Sequence, residues 1–322
     1  MAAHRRRALR ILAGAAALPI VPTDAFGRDY PMRPVRIIVG FAPGGVPDLI
    51  ARLVGQWLSE RLGQPFIIEN HPGAGSNLAL EDAATSAADG YTLFELSLAN
   101  AINESLYQGA NVEREIAPVA SIAGAAFVIV VTPSSREQTV PALIAYAKSH
   151  PGELNIGSSP TGTPPYLAVS LFKRMADIDF VQVPFRNSVQ AVEELLGGRL
   201  DVAISDMSAI EYVKAGKLHA LAVTTANRQR VLPEVPSLAE FLPGYEASTW
   251  YGLGAVKDTP SEIIKVLSTA VDAALQDPGH VTRLSELGLT ITVRSPDDFA
   301  TFIAGESKKW GELIKATNIR PR

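Results

Sequence analysis

The spacing of apolar and polar positions changes abruptly between residues 35 and 58. Residues 35–39 form a mostly β-branched apolar run that only Arg36 interrupts, which is typical of a buried strand. A Pro-Gly-Gly turn follows at 43–45, and Leu49, Leu53 and Trp57 then recur at helical spacing. The pattern predicts a strand, a tight loop and the N-terminus of a helix, in that order.

The same succession repeats along the chain. The sequence predicts further strands at 65–70, 91–96, 117–131, 154–157, 180–184, 200–206, 218–224, 247–256 and 290–293. Helical spacing predicts helices at 78–87, 140–149, 166–175, 189–196, 208–215, 261–276, 281–287 and 297–317. Strands that alternate with helices predict parallel or mostly parallel sheets with helices on both faces.

Two of these predicted strands are placed to carry the chain from one domain to another. Residues 117–131 form a long apolar stretch that Thr132-Pro133 closes, and residues 247–256 form a second candidate crossing. The simplest architecture is α/β, with two doubly wound sheets joined by a two-stranded hinge. We assign residues 28–124 plus 248–322 to domain 1 and residues 125–247 to domain 2.

Composition supports two globular domains and removes several classes of partner. The chain has 322 residues, of which 47% are hydrophobic, and this is enough for two domains with their own cores. The net charge of −4 provides no broad basic field, so we expect neither nucleic acid nor an anionic membrane as a partner. The absence of Cys excludes thiol nucleophiles, disulfides and Cys-ligated metals.

The N-terminus has the order of an export signal. The apolar run 11–21 follows four arginines, Arg5, Arg6, Arg7 and Arg10, and small or polar residues stand after it at 23–27. We therefore expect residues 1–27 to be a signal peptide, and the paired arginines also allow twin-arginine export. A membrane span is the weaker interpretation, because about 20 apolar residues are needed to cross a bilayer.

The loop at 41–48 has the character of an anion-binding loop. Gly44 and Gly45 let the backbone approach a ligand, and Asp48 can cap the helix that follows. Free N–H groups and the positive end of the helix dipole favour an anion above the strand. A simple chain turn remains the alternative interpretation of this loop.

Polar loops also follow later predicted strands. Ser97 and Asn100 follow the strand at 91–96, hydroxyls lie in the loop 158–163 before a predicted helix, and Asp206 ends the strand at 200–206. Ligands of open α/β sheets bind beyond the carboxyl ends of the strands, so we expect these loops and the loop at 185–188 to converge on one interdomain cleft. For each hydroxyl, a helix cap with no ligand remains the alternative.

The sequence contains no motif for a nucleotide, a metal or a hydrolytic centre. Gly73-Ala74-Gly75 begins like a dinucleotide fingerprint, but Leu78 stands in the place of its third glycine, and no Lys precedes Thr163 as a phosphate loop requires. The five histidines show no metal-binding spacing, and no Gly-x-Ser-x-Gly is present. We expect no cofactor and no metal. An exported hydrolase stays as the weaker alternative, because partners distant in sequence can meet in a fold.

Ordered motifs along most of the mature chain point to one family. They include Pro43-Gly44-Gly45-x-x-Asp48-x-x-Ala51-Arg52, Asn70-x-Pro72-Gly73-Ala74-Gly75-x-Asn77, Asp89-Gly90-Tyr91-Thr92-Leu93, Gly157-Ser158-Ser159, Leu221-Ala222-Val223-Thr224 and Trp250-Tyr251-Gly252. With these motifs the sequence resembles the Bug-type extracytoplasmic solute receptors, the periplasmic substrate-binding proteins of tripartite tricarboxylate transporters.

The resemblance implies a two-domain periplasmic-binding-protein fold of the Venus-flytrap type II, which closes on a small organic carboxylate without transforming it. Loop amides and ordered water, more than formal charges, would hold the ligand. The first wall would come from Phe41, Pro43, Gly44, Gly45 and Asp48, the floor from Ser97 and Asn100, and the second wall from Ser158, Thr161, Gly162 and Thr163. The implied protein is a periplasmic monomer that delivers ligand to the membrane components of the transporter.

The departures from the family pattern concern the ligand. Pro160 and Tyr166 stand where the family usually has Gly and His, and Phe185-Arg186-Asn187 replaces Tyr-Lys-Gly. Arg186 is a candidate carboxylate clamp, with an exposed loop-tip Arg as the alternative. Phe185 and Tyr166 would favour a ligand with an aromatic or apolar part. The solute stays open, and a ligand sensor that presents the bound form to a signalling partner is a further alternative.

Overall fold

The computed structural model describes residues 30–107 and 109–320 and contains two sheets. The expected signal peptide, residues 1–27, lies outside the described residues. In chain order the strands are β1 (Val35–Val39), β2 (Phe66–Asn70), β3 (Thr92–Ser97), β4 (Ile116–Ala126), β5 (Val128–Val131), β6 (Asn155–Ser158), β7 (Val181–Pro184), β8 (Val202–Ser205), β9 (His219–Val223), β10 (Ser248–Val256) and β11 (Thr290–Ile291).

Helices connect most of these strands. They are α1 (Val46–Leu62), α2 (Asn77–Ala84), α3 (Leu98–Leu106), α4 (Val112–Glu115), α5 (Val140–Ser149), α6 (Pro164–Ala176), α7 (Ser188–Leu196), α8 (Ile210–Lys214), α9 (Ser261–Gln276), α10 (Pro278–Glu286) and α11 (Pro296–Thr317). Short 3₁₀ turns lie at Ala74–Ser76, Met207–Ala209 and Leu238–Glu240. The predicted helix at 208–215 is therefore a 3₁₀ turn followed by the short α8.

Both sheets are mixed, so the expectation of parallel or mostly parallel sheets is wrong. The first sheet has the order β11-β4-β10-β3-β1-β2, in which β1 is parallel to β2 and β3, whereas β10 is antiparallel to β3 and β4, and β11 is antiparallel to β4. The second has the order β7-β6-β8-β5-β9, in which β6 is parallel to β7 and β8, and β5 is antiparallel to β8 and β9. The crossing strands β5 and β10 enter from the other sheet and run against their neighbours.

The chain changes sheets at Phe127 and returns through Ala247. The predicted strand 117–131 is wrong at this point, because β4 ends at Ala126 and β5 begins at Val128 in the other sheet. The Phe127 N–H donates to Thr224 Oγ1 at 2.8 Å, and the Phe127 carbonyl accepts the Thr224 N–H at 2.9 Å. The Ala247 N–H donates to the Thr224 carbonyl at 2.9 Å, so both crossings are tied together here.

The strands of the first sheet fall within residues 35–126 and 248–291, and those of the second within 128–223. The exact domain boundaries stay a prediction. No helix in these described parts of the chain is both long and apolar enough to span a membrane.

One apolar cluster extends through both sheets. It includes Phe94 of the first sheet, Phe172 of α6 and Trp250 of β10. The Trp250 ring meets Phe299 of α11 edge-on at 5.5 Å between centroids, and the buried Tyr245 hydroxyl donates to the Ala168 carbonyl at 3.0 Å. Aromatic contacts of this kind add stability beyond the area that they bury. The two sheets therefore share a packed junction in addition to the covalent crossings.

Gly252 of β10 is a sensitive position in this junction. A Cβ at residue 252 would collide with the Phe299 ring and lie 2.7 Å from the Ala120 carbonyl oxygen. We expect Gly252→Ala to lower the free energy of unfolding by about 2 kcal/mol or more, since overpacking costs ~1–3 kcal/mol and a backbone oxygen cannot move aside. Denaturant unfolding measures this loss.

The matched control is Gly305→Ala on the exposed face of α11, where no atom lies within 4 Å of the added Cβ. It is expected to raise stability by up to ~1 kcal/mol, because Ala is the better helix former. Equal effects of the two substitutions would contradict the packing of Gly252.

Candidate functional site

The loop between β1 and α1 is organised by Asp48, which is only 2% exposed. Its carboxylate accepts the Gly44 N–H at 2.9 Å and the Asn70 Nδ2 at 2.9 Å, and it pairs with Arg52 at 2.9 Å. Gly44 has a φ of +85°, a conformation that favours glycine, so the turn depends on this residue. Asn70 also donates to the Phe41 carbonyl at 3.0 Å and thereby attaches the loop to β2.

Asp48 does not cap α1, in contrast to the expectation from the sequence. The N-cap is Gly45, and Asp48 lies inside the first turn, from which it reaches back to the Gly44 N–H. Burial raises the pKa of Asp48, but hydrogen bonds from Arg52, Gly44 and Asn70 outweigh it and hold the pKa below its ordinary value. The carboxylate is thus ionised and internally neutralised, and it shapes the loop.

Ser97 and Asn100 meet in a capping box at the start of α3. The Ser97 N–H donates to Asn100 Oδ1 at 2.9 Å, and Asn100 Nδ2 donates to Ser76 Oγ at 3.3 Å. Ser97 is 3% exposed and Asn100 is 1% exposed. Both side chains therefore support the surrounding loops, and they lie beneath the surface of the predicted floor.

The loop at 73–76 is a part of this region that the site prediction missed. Gly73, Ala74, Gly75 and Ser76 all have positive φ values, of 146°, 46°, 63° and 84°. Asn103 Nδ2 donates to the Gly75 carbonyl at 2.5 Å, and Ser76 is fully buried in the space that a Cβ at residue 40 would need. The only sequence signal is the Gly-Ala-Gly motif. The loops after β1, β2 and β3 thus pack on one another at one edge of the first sheet.

The loop 158–163 after β6 is a tight turn that leads into α6. The Thr163 N–H and hydroxyl both donate to the Pro160 carbonyl, at 3.1 and 2.6 Å. Ser158 is fully buried and donates to the Ser159 carbonyl at 3.3 Å. Thr161, Gly162 and Thr163 remain partly exposed. Pro164 and Pro165 begin α6, so this helix start has two fewer N–H donors than an ordinary one.

Arg186 and Asp206 are both exposed at strand ends of the second sheet. The Arg186 N–H donates to Gln190 Oε1 at 3.2 Å, and Asp206 accepts the Ser208 N–H at 3.0 Å as the cap of a 3₁₀ turn. Asp206 also lies near β10, because its charge contributes to the raised pKa of the Tyr251 phenol, after burial as the largest cause.

The loops of the two sheets approach each other. A Cβ at Gly162 would lie 3.0 Å from Leu106 Cδ1, at the end of the helix that Ser97 and Asn100 begin. A Cβ at Gly288 would lie 2.9 Å from Met207 Cβ, beside Asp206. The second-sheet loops at Gly162 and Met207 therefore lie beside the end of α3 and the turn before β11, respectively.

A groove of about 560 Å³ lies outside these loops, between α6, β7 and the end of α11. Tyr166, which the sequence places against an apolar part of the ligand, lines this groove together with Arg174 and Thr317. Phe185 packs against the apolar cluster under α7. The part of these two aromatic residues in ligand selection stays a prediction.

Glu95 of β3 is a buried acid that sequence patterning does not single out. It is 1% exposed, and neither carboxyl oxygen has a hydrogen-bond partner in the described residues. Burial raises the pKa of Glu95 to about 8, so the side chain is mainly uncharged at neutral pH. A single Glu inside an apolar strand carries no sequence signal that tells which face it occupies.

Comparisons with known proteins agree with the sequence motifs. Residues 50–319 match the tripartite tricarboxylate transporter family receptor. Protein BugT of Bordetella pertussis is 34% identical over 297 residues, which are 90% of this chain and 91% of that protein.

Two solved structures extend the comparison to the fold. The R. palustris protein Rpa4515 with adipate has a TM-score of 0.77 and 34% identity, over 91% of this chain and 100% of that one. MatC from Rhodopseudomonas palustris with bound malate has a TM-score of 0.73 and 30% identity, over 88% of this chain and 100% of that one. These similarities confirm the resemblance and the α/β flytrap fold class.

Removal of the Asp48 carboxylate tests the structure of the first loop. We expect Asp48→Ala to lower the free energy of unfolding by about 2 kcal/mol at neutral pH, because charge-assisted hydrogen bonds contribute ~1.5–3 kcal/mol each and Arg52 is half exposed. Since the pKa of Asp48 is lowered in the fold, this stabilisation is present above its unfolded pKa of ~3.9 and is lost as pH falls through the folded pKa. The deficit should shrink in acid, as measured by chemical unfolding. Asp48→Asn, which keeps an acceptor oxygen, is the control with the smaller loss.

Glu95→Gln is expected to stabilise the protein. The fold holds the Glu95 proton up to about pH 8, whereas the unfolded chain releases it near the ordinary glutamate pKa of 4.5. The contribution of Glu95 to stability is therefore greatest below about pH 4.5 and falls as pH rises through 8. Gln avoids this loss, so the gain should be on the order of 3 kcal/mol at neutral pH and vanish near pH 4. Thermal melts across this range measure it, with the exposed Glu193→Gln as the unchanged control.

Proposed function

This chain belongs to the tripartite tricarboxylate transporter receptor family and is a periplasmic solute-binding receptor for small carboxylates. From that premise we propose that it holds one dicarboxylate between the loops of its two sheets. The loop 41–48 forms the first wall and the loop 158–163 forms the second. The residues of this proposed site are Phe41, Pro43, Gly44, Gly45, Asp48, Ser97, Asn100, Ser158, Thr161, Gly162, Thr163, Arg186 and Asp206.

The approach of Gly162 to the end of α3 is the single observation that carries this site. It brings the loop after β6 beside the helix whose first turn holds Ser97 and Asn100, and Asn100 in turn contacts Ser76 under the loop at Gly40. Helix α3 therefore links the two proposed walls, since its last residue meets Gly162 and its first turn contacts Ser76. Ligands of α/β sheets bind at such strand ends.

Electrostatics favour an anion held mainly by main-chain groups. Arg52 neutralises Asp48, and the first turn of α1 directs N–H groups and the positive end of its dipole towards the loop. The second wall has fewer main-chain donors, because α6 starts with Pro164 and Pro165. We therefore assign Thr161 and Arg186 to the outer carboxylate of the ligand, since the Thr163 hydroxyl donates to the Pro160 carbonyl and orders the loop.

A dicarboxylate fits two unequal sets of donors. Adipate and malate, which accompany the two R. palustris relatives, are both dicarboxylates. Main-chain N–H groups at the start of α1 would fix one carboxylate, and the Thr161 hydroxyl with Arg186 would fix the other. Bidentate Arg contacts select for carboxylate geometry.

The proposed partners are the membrane components of a tripartite transporter, and the ligand leaves the receptor unchanged. A sensor would bind the same ligand and differ only in its partner. A hydrolase would release a product, so NMR spectra of the ligand after prolonged incubation separate it from a receptor. Binding with no new signals is the expected result.

Calorimetry and thermal melts with dicarboxylates from succinate to suberate test the proposed function. At ~100 times the dissociation constant, a bound ligand should stabilise the protein by about 2.7 kcal/mol and raise the melting temperature by several degrees. A tricarboxylate, an aromatic acid, an amino acid and a neutral sugar complete the panel. The carboxylate class would be wrong if only the neutral sugar stabilised the protein.

Arg186→Gln should weaken dicarboxylate binding by about tenfold or more, because a charge-assisted contact to a carboxylate is lost. The control is Arg136→Gln, which also changes an exposed Arg of the second unit. Arg136 follows β5, which is antiparallel to β8, whereas Arg186 follows β7, which runs in the direction of β8. The two arginines therefore lie at opposite ends of the strands. Equal affinities of the two variants would remove Arg186 from the site.

A further inference from the structure

Glu95 shares one face of the first sheet with two residues at the cleft. In the register of β3 and β10, Ser97 pairs with Tyr251 and Glu95 pairs with Leu253. Side chains at paired and second-neighbour positions point to the same face, so Glu95, Ser97 and Tyr251 lie together. Diagonal neighbours of this kind are ~7–8 Å apart, within reach of a carboxyl group and a phenol.

The Glu95 carboxyl has no partner that would compensate a negative charge. Both oxygens are buried without a hydrogen-bond partner among the residues that the structure describes, and burial is the cause of its raised pKa. Titratable groups on the elements packed against this face are Tyr251 of β10, Asp48, Arg52, Glu60 and Arg61 of α1, and Glu262, Lys265 and Asp272 of α9, and Asp206 follows β8. Arg52 is paired with Asp48, so no further positive charge comes from Arg52.

Tyr251 connects this buried acid with the cleft. Tyr251 as a whole residue is partly exposed, but burial is the main cause of the raised pKa of its phenol, and the charges of Glu95 and Asp206 raise this pKa further. Glu95 belongs to the first sheet and Asp206 follows the last residue of β8 in the second. A charge on Glu95 therefore acts on the region where the two units face each other.

We propose that Glu95 is a specificity-determining residue, which sets how much negative charge a ligand may carry near the floor of the cleft. As an uncharged acid it permits a dianion to bind, and as a carboxylate it favours a ligand with one negative charge over a ligand with two. This inference rests on the proposed function and deepens it by assigning the choice among carboxylates to one buried group.

The physical reason is repulsion across a poorly solvated region. Buried charges are screened much less than exposed ones, and a fixed charge repels a dianion about twice as strongly as a monoanion. We expect ionisation of Glu95 to weaken dianion binding by at least about tenfold relative to a matched monoanion. Straight-chain dicarboxylates keep their charge between about pH 7 and pH 9, because the first carboxylate raises the pKa of the second carboxyl only modestly above its ordinary value of ~4–5. A change of affinity in this range therefore reports on the protein.

The experiment compares the full-length receptor and Glu95→Gln by calorimetry at about pH 7 and about pH 9. The probes are the dicarboxylate from the succinate-to-suberate series that binds most tightly and its half-amide, which has the same length and one charge less. For the wild type, the ratio of dianion to half-amide affinity should fall by about twofold at pH 9, because a bound dianion also returns the proton to Glu95 and so limits its own loss of affinity. For Glu95→Gln the ratio should stay constant, since Gln does not ionise.

Asp272→Asn is the matched control, because Asp272 is another carboxyl whose pKa burial raises, on α9 in the outer layer. It should keep the wild-type pH dependence of the ratio. A wild-type affinity ratio that does not change with pH would overturn the inference, and so would an equal change in Glu95→Gln. If Glu95→Gln does not fold, the pH dependence of the wild-type ratio alone decides the inference. Failure of every dicarboxylate to bind would instead contradict the proposed function.

Discussion

The pairing of the two chain crossings is the constraint on which the rest of the structure depends. Phe127 is the single residue between β4 and β5, and it is hydrogen-bonded to Thr224 through both its N–H and its carbonyl. The Thr224 carbonyl in turn accepts the N–H of Ala247, just before β10. Because the same strands that join the units also complete their sheets, the loops at the strand ends are held opposite one another. The proposed cleft thus follows from the topology of the chain.

Two buried carboxyl groups near the proposed cleft avoid an uncompensated negative charge, which would repel an anionic ligand, in two different ways. Asp48 is ionised, and Arg52 and two other donors compensate it, so it costs little and fixes the loop at Gly44. Glu95 has no such partner among the described residues and keeps its proton instead. The first solution is stable over the whole neutral range, whereas the second depends on the proton concentration. Both follow from the cost of an unpaired charge in a buried environment.

The sequence predicted the order of strands and helices well, because period and turn residues are local signals. It failed where tertiary pairing decides: the apolar run 117–131 reads as one strand, and only the second sheet shows why it breaks at Phe127. Asp is a residue type that often caps a helix, but the Asp48 carboxylate instead contacts Asn70 and Arg52. Asn100 has polar atoms that a ligand could use, yet Ser97 and Ser76 occupy them. The roles of such residues depend on neighbours distant in sequence, which no local pattern reveals.

The one-residue junction at Phe127 also limits how the two units can be displaced relative to each other. A single residue contributes only two soft torsions, φ and ψ, so it allows a swivel and almost no sliding. The return crossing at Ala247 lies beside this junction, because its N–H donates to the Thr224 carbonyl. Phe127 is therefore the pivot between the two units. A small change in its torsions would produce a large displacement at the parts of the units that lie farthest from it.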